Sequence, residues 1–191
     1  MLRRINLLGG PGAGKSTMAA WLFAHLKLAG YKCELVTELV KSYAWEGRTI
    51  NGFDQYNIFG KQMKREEIPL KGGADFIITD SPIVLSAFYG AKYDVKGWEV
   101  FLMASEEFER IYPSMNILLQ RDSEKVYEPL GRFQTAEEAL AIDGEIEGML
   151  KSYNMPYALH PSKLREELLA RLINRFRIQK EQEESKKDSF Q

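Results

Sequence analysis

The chain has 191 residues, with 26 basic and 27 acidic side chains and a formal net charge of −1. This length suits one domain with a buried core, and the apolar fraction of 45% excludes a largely disordered chain. The near-zero charge argues against a protein that mainly coats nucleic acid. The only cysteine, Cys33, cannot form an internal disulfide, so a cytoplasmic location is expected.

The N-terminal segment contains too few consecutive apolar residues for a secretion signal or a membrane span. Its apolar run extends only from Ile5 to Leu8 and is interrupted by Asn6. A membrane-spanning helix needs about 20 predominantly apolar residues. No membrane partner is therefore expected.

Short apolar runs alternate with helical patterns along the chain. The expected strands lie at residues 3–8, 32–37, 75–79, 117–119 and 155–159. The expected helices lie at residues 15–29, 38–45, 54–68, from 82 onward, 98–112, 135–153 and from 161 onward. This alternation predicts a parallel sheet covered by helices on both faces, with ligands at the carboxyl ends of its strands.

Polar and proline residues set the expected helix ends. Asp54 is expected to cap one helix, which Pro69 and the Gly72-Gly73 pair should end. Thr135 is expected to cap another, with Glu138 completing a capping box. Pro161 is expected to open the last helix.

A glycine-rich segment lies at the first strand-to-helix junction. Residues 9–16 match the phosphate-binding pattern G-x-x-x-x-G-K-[ST], in which backbone N–H groups surround a phosphate chain. Lys15 is expected to reach the terminal phosphates, and Ser16 to bind Mg²⁺. The expected cofactors are therefore ATP and Mg²⁺. The expected nucleotide-binding residues are Gly9, Gly10, Pro11, Gly12, Ala13, Gly14, Lys15, Ser16 and Thr17.

Two acidic residues follow expected strands. Asp80 ends the third strand, where a carboxylate projects toward the phosphate loop and binds Mg²⁺, or alternatively caps the helix from Pro82. Glu38 ends the second strand and is a candidate base for an attacking hydroxyl group. The alternative for Glu38 is a solvated glutamate in the first turn of a helix.

The polar segment after the fourth strand is expected to be a mobile loop. It carries Arg121, Lys125 and Arg132 around Tyr127. Arginine suits the charge that spreads over a phosphoryl group during transfer, so Arg121 and Arg132 are catalytic candidates. The alternative is a set of solvated loop charges.

The helix after Asp54 places Gln55, Gln62 and Arg65 near one face. Such side chains suit a pocket that holds a planar base by amide hydrogen bonds and stacking. Trp45 is a further candidate for the wall of this pocket. The alternative is the ordinary surface of an amphipathic helix.

These motifs together resemble the P-loop kinases of the nucleoside and nucleotide kinase type. The segment TELVKSYAW at residues 37–45 and IITDSP at residues 77–82 are similar to the corresponding motifs of deoxynucleoside kinases. The resemblance implies that Glu38 is the base and that Asp80 binds the metal. In those enzymes the third-strand motif continues with Arg-Ser, whereas here Ser81 and Pro82 follow Asp80.

The whole chain also resembles small phage-encoded P-loop kinases and the ribosylnicotinamide kinase group. This resemblance implies a P-loop NTPase three-layer α/β sandwich, with a five-stranded parallel sheet and a lid after the fourth strand, near residues 121–134. The kinase domain would span residues 1–180, with a frayed tail at residues 181–191.

One phage branch phosphorylates 5-hydroxymethyluracil within DNA, and that base is a candidate acceptor here. The expected function is ATP-dependent phosphorylation of a hydroxyl group of a nucleoside, nucleotide or modified base. DNA as a polymer substrate, a homodimer and a host-cytoplasm location for a phage protein are further expectations. The alternative is a P-loop ATPase that acts as a switch or motor subunit.

Overall fold

The computed structural model describes residues 2–122, 124, 126–130 and 132–188. Lys125 and Gly131 of the predicted lid, Ser123, and tail residues 189–191 lie outside the described residues. The strands are β1 (Arg4–Leu8), β2 (Cys33–Val36), β3 (Phe76–Thr79), β4 (Ser114–Gln120) and β5 (Ala158–Pro161). The helices are α1 (Lys15–Leu28), α2 (Val40–Trp45), α3 (Gly52–Lys71), α4 (Val84–Lys92), α5 (Glu99–Ile111), α6 (Ala136–Ser152) and α7 (Arg165–Asp188).

The five strands form one sheet in the order β2-β3-β1-β4-β5, and every neighbouring pair is parallel. All residues of β1 and of β3 are buried. Strands buried on both faces carry continuous apolar runs, which is the pattern that predicted β3. The five-stranded parallel sheet is thus confirmed.

Helices cover both faces of the sheet. On one face, α1 and α7 pack through Leu22 and Leu168 against strand residues such as Leu7. On the other face, α3, α4, α5 and α6 pack through residues such as Phe101 and Ile142. The fold is therefore the predicted three-layer α/β sandwich.

Two predicted roles of residues at the ends of α3 are wrong. The cap of α3 is Asn51, whose side chain accepts the N–H of Asp54 while the Asp54 carboxylate accepts the N–H of Asn51. Asp54 is therefore the partner in a capping box. Pro69 lies inside α3 and does not end it. The helix ends at the predicted Gly72, whose N–H donates to the carbonyl oxygen of Ile68 over 2.9 Å.

The ends in the second half are partly as predicted. Thr135 and Glu138 form the predicted capping box of α6. Pro161 does not open the last helix, because it is the final residue of β5 and pairs in register with Gln120 of β4. Helix α7 begins at Arg165.

A buried ion-pair network ties the edge of β1 to α3 and α5. Arg4 is 2% exposed and donates to Glu66 over 3.1 Å and to Glu109 over 2.5 Å. The second carboxylate oxygen of Glu66 accepts the N–H of Ile83 over 3.0 Å. Burial raises the pKa of Glu66 to about 7, although the charge of Arg4 opposes this shift.

This shift predicts how the stability of the fold depends on pH. Because the pKa of Glu66 is raised above 4.5 in the folded state, the folded protein binds that proton more tightly than the unfolded chain. The contribution of Glu66 to the free energy of unfolding is fully present below pH 4.5 and is lost as the pH rises through about 7. Urea unfolding at pH 5 and pH 8 should give a smaller pH dependence for Glu66→Gln than for the unmodified protein.

The matched control is Glu106→Gln, which removes an exposed carboxylate from α5. It should keep the pH dependence of the unmodified protein. Equal pH dependence in all three proteins would contradict the assignment.

Candidate active site

The phosphate loop joins β1 to α1. Gly14 precedes α1 with φ of 95°, a left-handed conformation that favours glycine. A Cβ atom on Gly10 would lie 2.6 Å from the carbonyl oxygen of Ala139, so the loop packs against α6 with no room for a side chain. The loop therefore delivers the N-terminus of α1, where the first N–H groups lack intrahelical partners, to the edge of the sheet.

The ammonium group of Lys15 lies on the phosphate loop. Its Nζ atom donates hydrogen bonds to the carbonyl oxygens of Gly9 over 2.7 Å and of Gly10 over 2.9 Å. Burial lowers the pKa of Lys15, while the carboxylates of Glu38 and Asp80 raise it. The positive charge is thus partly buried, and it interacts with two acidic groups.

Glu38 and Asp80 follow the neighbouring strands β2 and β3, which pair Val36 with Thr79. The backbone N–H of Glu38 donates to Oδ1 of Asp80 over 2.9 Å. Burial raises the pKa of Glu38, and the charge of Lys15 opposes this shift. The structure therefore brings both predicted acids to the phosphate loop, and Glu38 retains its proton to higher pH than an ordinary glutamate.

The side chain of Asp80 does not cap α4. The residue before that helix is Ile83, and no side chain caps its first turn. The Asp80 carboxylate instead accepts a hydrogen bond from the N–H of Glu38. The capping alternative therefore does not apply.

A cavity of about 780 Å³, called the large cavity, lies on the β2 and β3 side of the phosphate loop. Its wall also includes the segment after β2, parts of α3 and α4, and the loop after β4. Gln55 and Gln62 on this wall are 7% and 3% exposed, so α3 contributes two buried amides. The predicted site residues on the wall are Pro11, Gly12, Gly14, Lys15, Ser16, Thr17, Glu38, Gln55, Gln62 and Arg132.

Other predicted residues lie away from this wall. Trp45 is the last residue of α2 and is 59% exposed. Arg65 is exposed on α3, and its Nη1 atom lies 3.4 Å from the carbonyl oxygen of Thr37. The structure does not bring Trp45 or Arg65 into the large cavity.

A second cavity of about 360 Å³, called the small cavity, lies on the β4 and β5 side of the same loop. Gly12, Gly14 and Thr17 line both cavities. The rest of the small cavity comes from the segment after β4, from α6 and from the segment after β5. These contributions include Arg121, Tyr127, Leu140, Ser162 and Lys163.

Arg121 is held by an acidic residue of α6. Its Nε atom donates to Oδ2 of Asp143, and its Nη2 atom donates to the carbonyl oxygen of Ala139 over 2.8 Å. Oδ1 of Asp143 accepts the N–H of Gly10 over 2.5 Å. Asp143 therefore fixes Arg121 and the start of the phosphate loop at the same time.

The loop after β4 lies against the phosphate loop through Tyr127. A Cβ atom on Gly12 would lie 2.9 Å from the Tyr127 ring, so only a glycine allows this approach. The Tyr127 hydroxyl donates to the carbonyl oxygen of Gln134 over 2.7 Å, and the Arg132 guanidinium lies 4.9 Å from the ring centroid. Arg121 thus lines the small cavity, whereas Arg132 lines the large one.

Sequence reasoning missed three residues of this site. Asp143 belongs to no motif and lies 133 positions from Gly10, so no local pattern indicates their contact. Tyr89 lies on the wall of the large cavity, and burial raises its pKa, with the charge of Glu38 adding to the shift. Lys163 follows β5 and lines the small cavity. Its position after the carboxyl end of a predicted strand could have indicated a ligand-binding role.

Comparison with known families agrees with this fold. A family model described as AAA domain matches residues 4–167. The chain belongs to this family. A search of curated proteins gave no significant match.

Solved structures show the same architecture in another protein. The crystal structure of NadR protein in complex with NR matches with a TM-score of 0.63 and 12% sequence identity. The match covers 83% of this chain and 45% of the NadR chain, so this AAA-domain protein spans less than half the length of that relative. The resemblance to the P-loop nucleoside kinase-like family is thereby confirmed at the level of the fold.

Two searches within the described residues gave negative results. No helix among them is long and apolar enough to cross a membrane. No group of three or more His, Cys, Asp or Glu side chains among them is arranged to hold a metal ion.

The contact between Asp143 and Gly10 predicts a role in nucleotide binding. Asp143→Asn keeps the size of the side chain but removes the charge that holds Arg121 and the loop. Charge-assisted hydrogen bonds contribute about 1.5–3 kcal/mol, so we expect ATP affinity to fall about tenfold or more in calorimetric titrations.

The control is Glu137→Gln, which neutralises an exposed carboxylate of the same helix. It should bind ATP as the unmodified protein does. ATP affinity that is unchanged in Asp143→Asn would show that the contact is dispensable.

Proposed function

We propose that the protein transfers the γ-phosphoryl group of ATP to a hydroxyl group of a nucleoside, a nucleotide or a modified nucleobase. The observation that carries this proposal is the pair of cavities on the two sides of one phosphate loop. Phosphoryl transfer needs a donor and an acceptor that meet at the terminal phosphate. The large cavity, with Lys15 and Glu38 on its wall, provides a separate space for an acceptor.

The small cavity suits the base and sugar of ATP. A phosphate chain on the loop N–H groups would extend from this cavity toward Lys15. The planar guanidinium of Arg121 and the ring of Tyr127 offer surfaces for stacking with a purine. Lys163, which follows the neighbouring strand β5, adds a positive charge and a hydrogen-bond donor to the wall of this cavity.

The residues present also fit Mg²⁺. The hydroxyl of Ser16 is exposed at the start of α1, and the carboxylate of Asp80 has one oxygen bonded to the N–H of Glu38. Hydroxyl and carboxylate oxygens suit Mg²⁺, which is bound through one or two protein groups together with substrate phosphates. Ser16 and Asp80 would hold the ion, whose charge neutralises the phosphate oxygens.

Glu38 and Arg132 would serve the transfer itself. Glu38 accepts the proton of the acceptor hydroxyl as the acceptor oxygen bonds to the γ-phosphorus atom. The bond from that phosphorus to the bridging oxygen breaks, and its electron pair leaves with ADP. Lys15 and Arg132, both on the wall of the large cavity, stabilise the charge on the transferred group.

The large cavity also has groups that suit a nucleobase. Gln55 and Gln62 offer amide donors and acceptors, and the rings of Tyr89 and Tyr93 stack with centroids 6.0 Å apart beside them. A planar base with carbonyl and N–H groups, such as 5-hydroxymethyluracil, suits a wall that carries amide donors and acceptors.

A second candidate is an ATPase that hydrolyses ATP to drive a partner. The family match to an AAA domain favours this candidate. The size of the large cavity favours the kinase, because water as the acceptor does not need a space of about 780 Å³.

A labelled-phosphate screen distinguishes the two candidates. We expect label from γ-³²P-ATP to appear on at least one nucleoside, nucleotide, NR or oligonucleotide that contains 5-hydroxymethyluracil. NR is included because the NadR structure contains it. Lys15→Ala should lower the rate of phosphoryl transfer by about 10²- to 10³-fold without lowering the melting temperature. Lys27→Ala, which changes an exposed lysine of the same helix, should leave the rate of transfer unchanged. ATP hydrolysis without label on any acceptor would favour the ATPase.

The raised pKa of Glu38 predicts the pH dependence of the reaction. The carboxylate acts as a base only when deprotonated, so kcat/KM should fall as the pH is lowered, with a midpoint above 4.5. Glu38→Gln should lower kcat about 10²- to 10⁴-fold and remove this acidic limb, whereas Glu46→Gln should retain it. An acidic limb that persists in Glu38→Gln would assign the base to another residue.

A further inference from the structure

The wall of the large cavity carries more positive charge than the proposed reaction uses. Among the residues that the structure describes, its charged side chains are four cations and one carboxylate, namely Lys15, Glu38, Lys41, Arg48 and Arg132. The chain as a whole has a net charge of −1. Lys15 and Arg132 are assigned to the phosphate groups of ATP, which leaves two cations without a role.

Arg48 is held in place with its hydrogen-bond donors available. Its backbone N–H donates to the carbonyl oxygen of Tyr43 over 3.0 Å, and its guanidinium lies 4.2 Å from the centroid of that buried ring. Its Nη1 atom forms an exposed ion pair with Glu46 over 3.7 Å, which is too long for a hydrogen bond and weak in water. No hydrogen bond to the described residues uses the guanidinium.

Lys41 lies close to the proposed base. Lys41 follows Glu38 by three positions in the sequence. Its charge lowers the pKa of the Glu38 carboxyl, as does the charge of Arg132. Lys41 makes no ion pair within 4.0 Å with the described residues. Lys41 and Arg48 thus present two cations on the same cavity wall as Glu38, and Lys41 is the nearer of the two to that carboxyl in the sequence.

We propose that Lys41 and Arg48 bind a phosphate group of the acceptor itself. This inference rests on the proposed function and narrows its substrate class to nucleotides, either free or within a polynucleotide. The arginine fork matches two phosphate oxygens, and the lysine adds a compact charge. An uncharged nucleoside would leave Lys41 without an anionic partner and Arg48 with only its exposed ion pair to Glu46.

Equilibrium binding in the absence of ATP tests the inference. The probes are the four common deoxynucleosides, their 5′-monophosphates, and labelled homo-oligodeoxynucleotides of each base. At least one phosphate-bearing probe should bind about tenfold or more tightly than its nucleoside, the effect expected of charge-assisted hydrogen bonds. The double variant Lys41→Gln/Arg48→Gln should lose this advantage.

The matched control is the double variant Lys61→Gln/Arg171→Gln, which removes one exposed lysine and one exposed arginine away from both cavities. It should keep the advantage, and melting temperatures of both variants verify that they fold. Arg48→Lys retains the charge but loses the planar fork of the guanidinium. Its affinity for the phosphate-bearing probe should lie between that of the unmodified protein and that for the matching nucleoside, and this test does not depend on the folding of the double variant.

The oligonucleotide arm separates the two sources of phosphate. An advantage for monophosphates identifies a free nucleotide as the ligand. Tighter binding of oligonucleotides alone identifies a polynucleotide as the ligand. In that case the slope of log K against log salt concentration should decrease in the double variant by the amount expected for about two phosphate contacts.

Equal binding of nucleosides and phosphate-bearing probes, or an advantage that persists in the double variant, would overturn the inference. In that event, transfer of label to a nucleoside would leave the proposed kinase function intact. Conversely, a phosphate preference without transfer to any acceptor would support the anion site and contradict the kinase.

Discussion

The positive charge of Lys15 is the constraint on which the rest of the site depends. An ammonium group taken out of water must be compensated, and here two loop carbonyls and two nearby carboxyl groups share that task. Those carboxyl groups come from the ends of β2 and β3, the strands next to β1 on one side. The strand order of the sheet therefore determines on which side of the loop Glu38 and Asp80 lie. The opposite side, at β4 and β5, is free to bind a ligand of different shape.

The sequence contained enough information for the fold and for the core of the site. Consecutive apolar residues identified the buried strands, and the glycine-rich motif at a strand end located Lys15. Glu38 and Asp80 were predictable because the carboxyl ends of parallel strands meet at one edge. Helical spacing also placed Gln55 and Gln62 on the same side of α3, where both are buried.

Contacts between distant segments were not predictable in the same way. Arg121 was expected to act on the transferred group, yet it lies at the small cavity and is held by Asp143 of α6. A helical aspartate with no motif gives no signal of such a contact before the chain is folded. Arg65 shares the helical spacing of Gln55 and Gln62, but its side chain turns to the backbone of Thr37. Trp45 is the last residue of α2 and is exposed. Periodicity identifies a face of a helix and does not say how far along that face a cavity extends.

The wall shared by the two cavities has a thermodynamic consequence. Gly12, Gly14 and Thr17 line both spaces, so only one layer of backbone separates them. A ligand that orders this layer from one side changes the surface presented to a ligand on the other. The resulting coupling free energy is reciprocal, because the first ligand must change the affinity of the second by the same factor as the second changes that of the first. Two ligands bound in the two cavities would therefore be coupled through the phosphate loop.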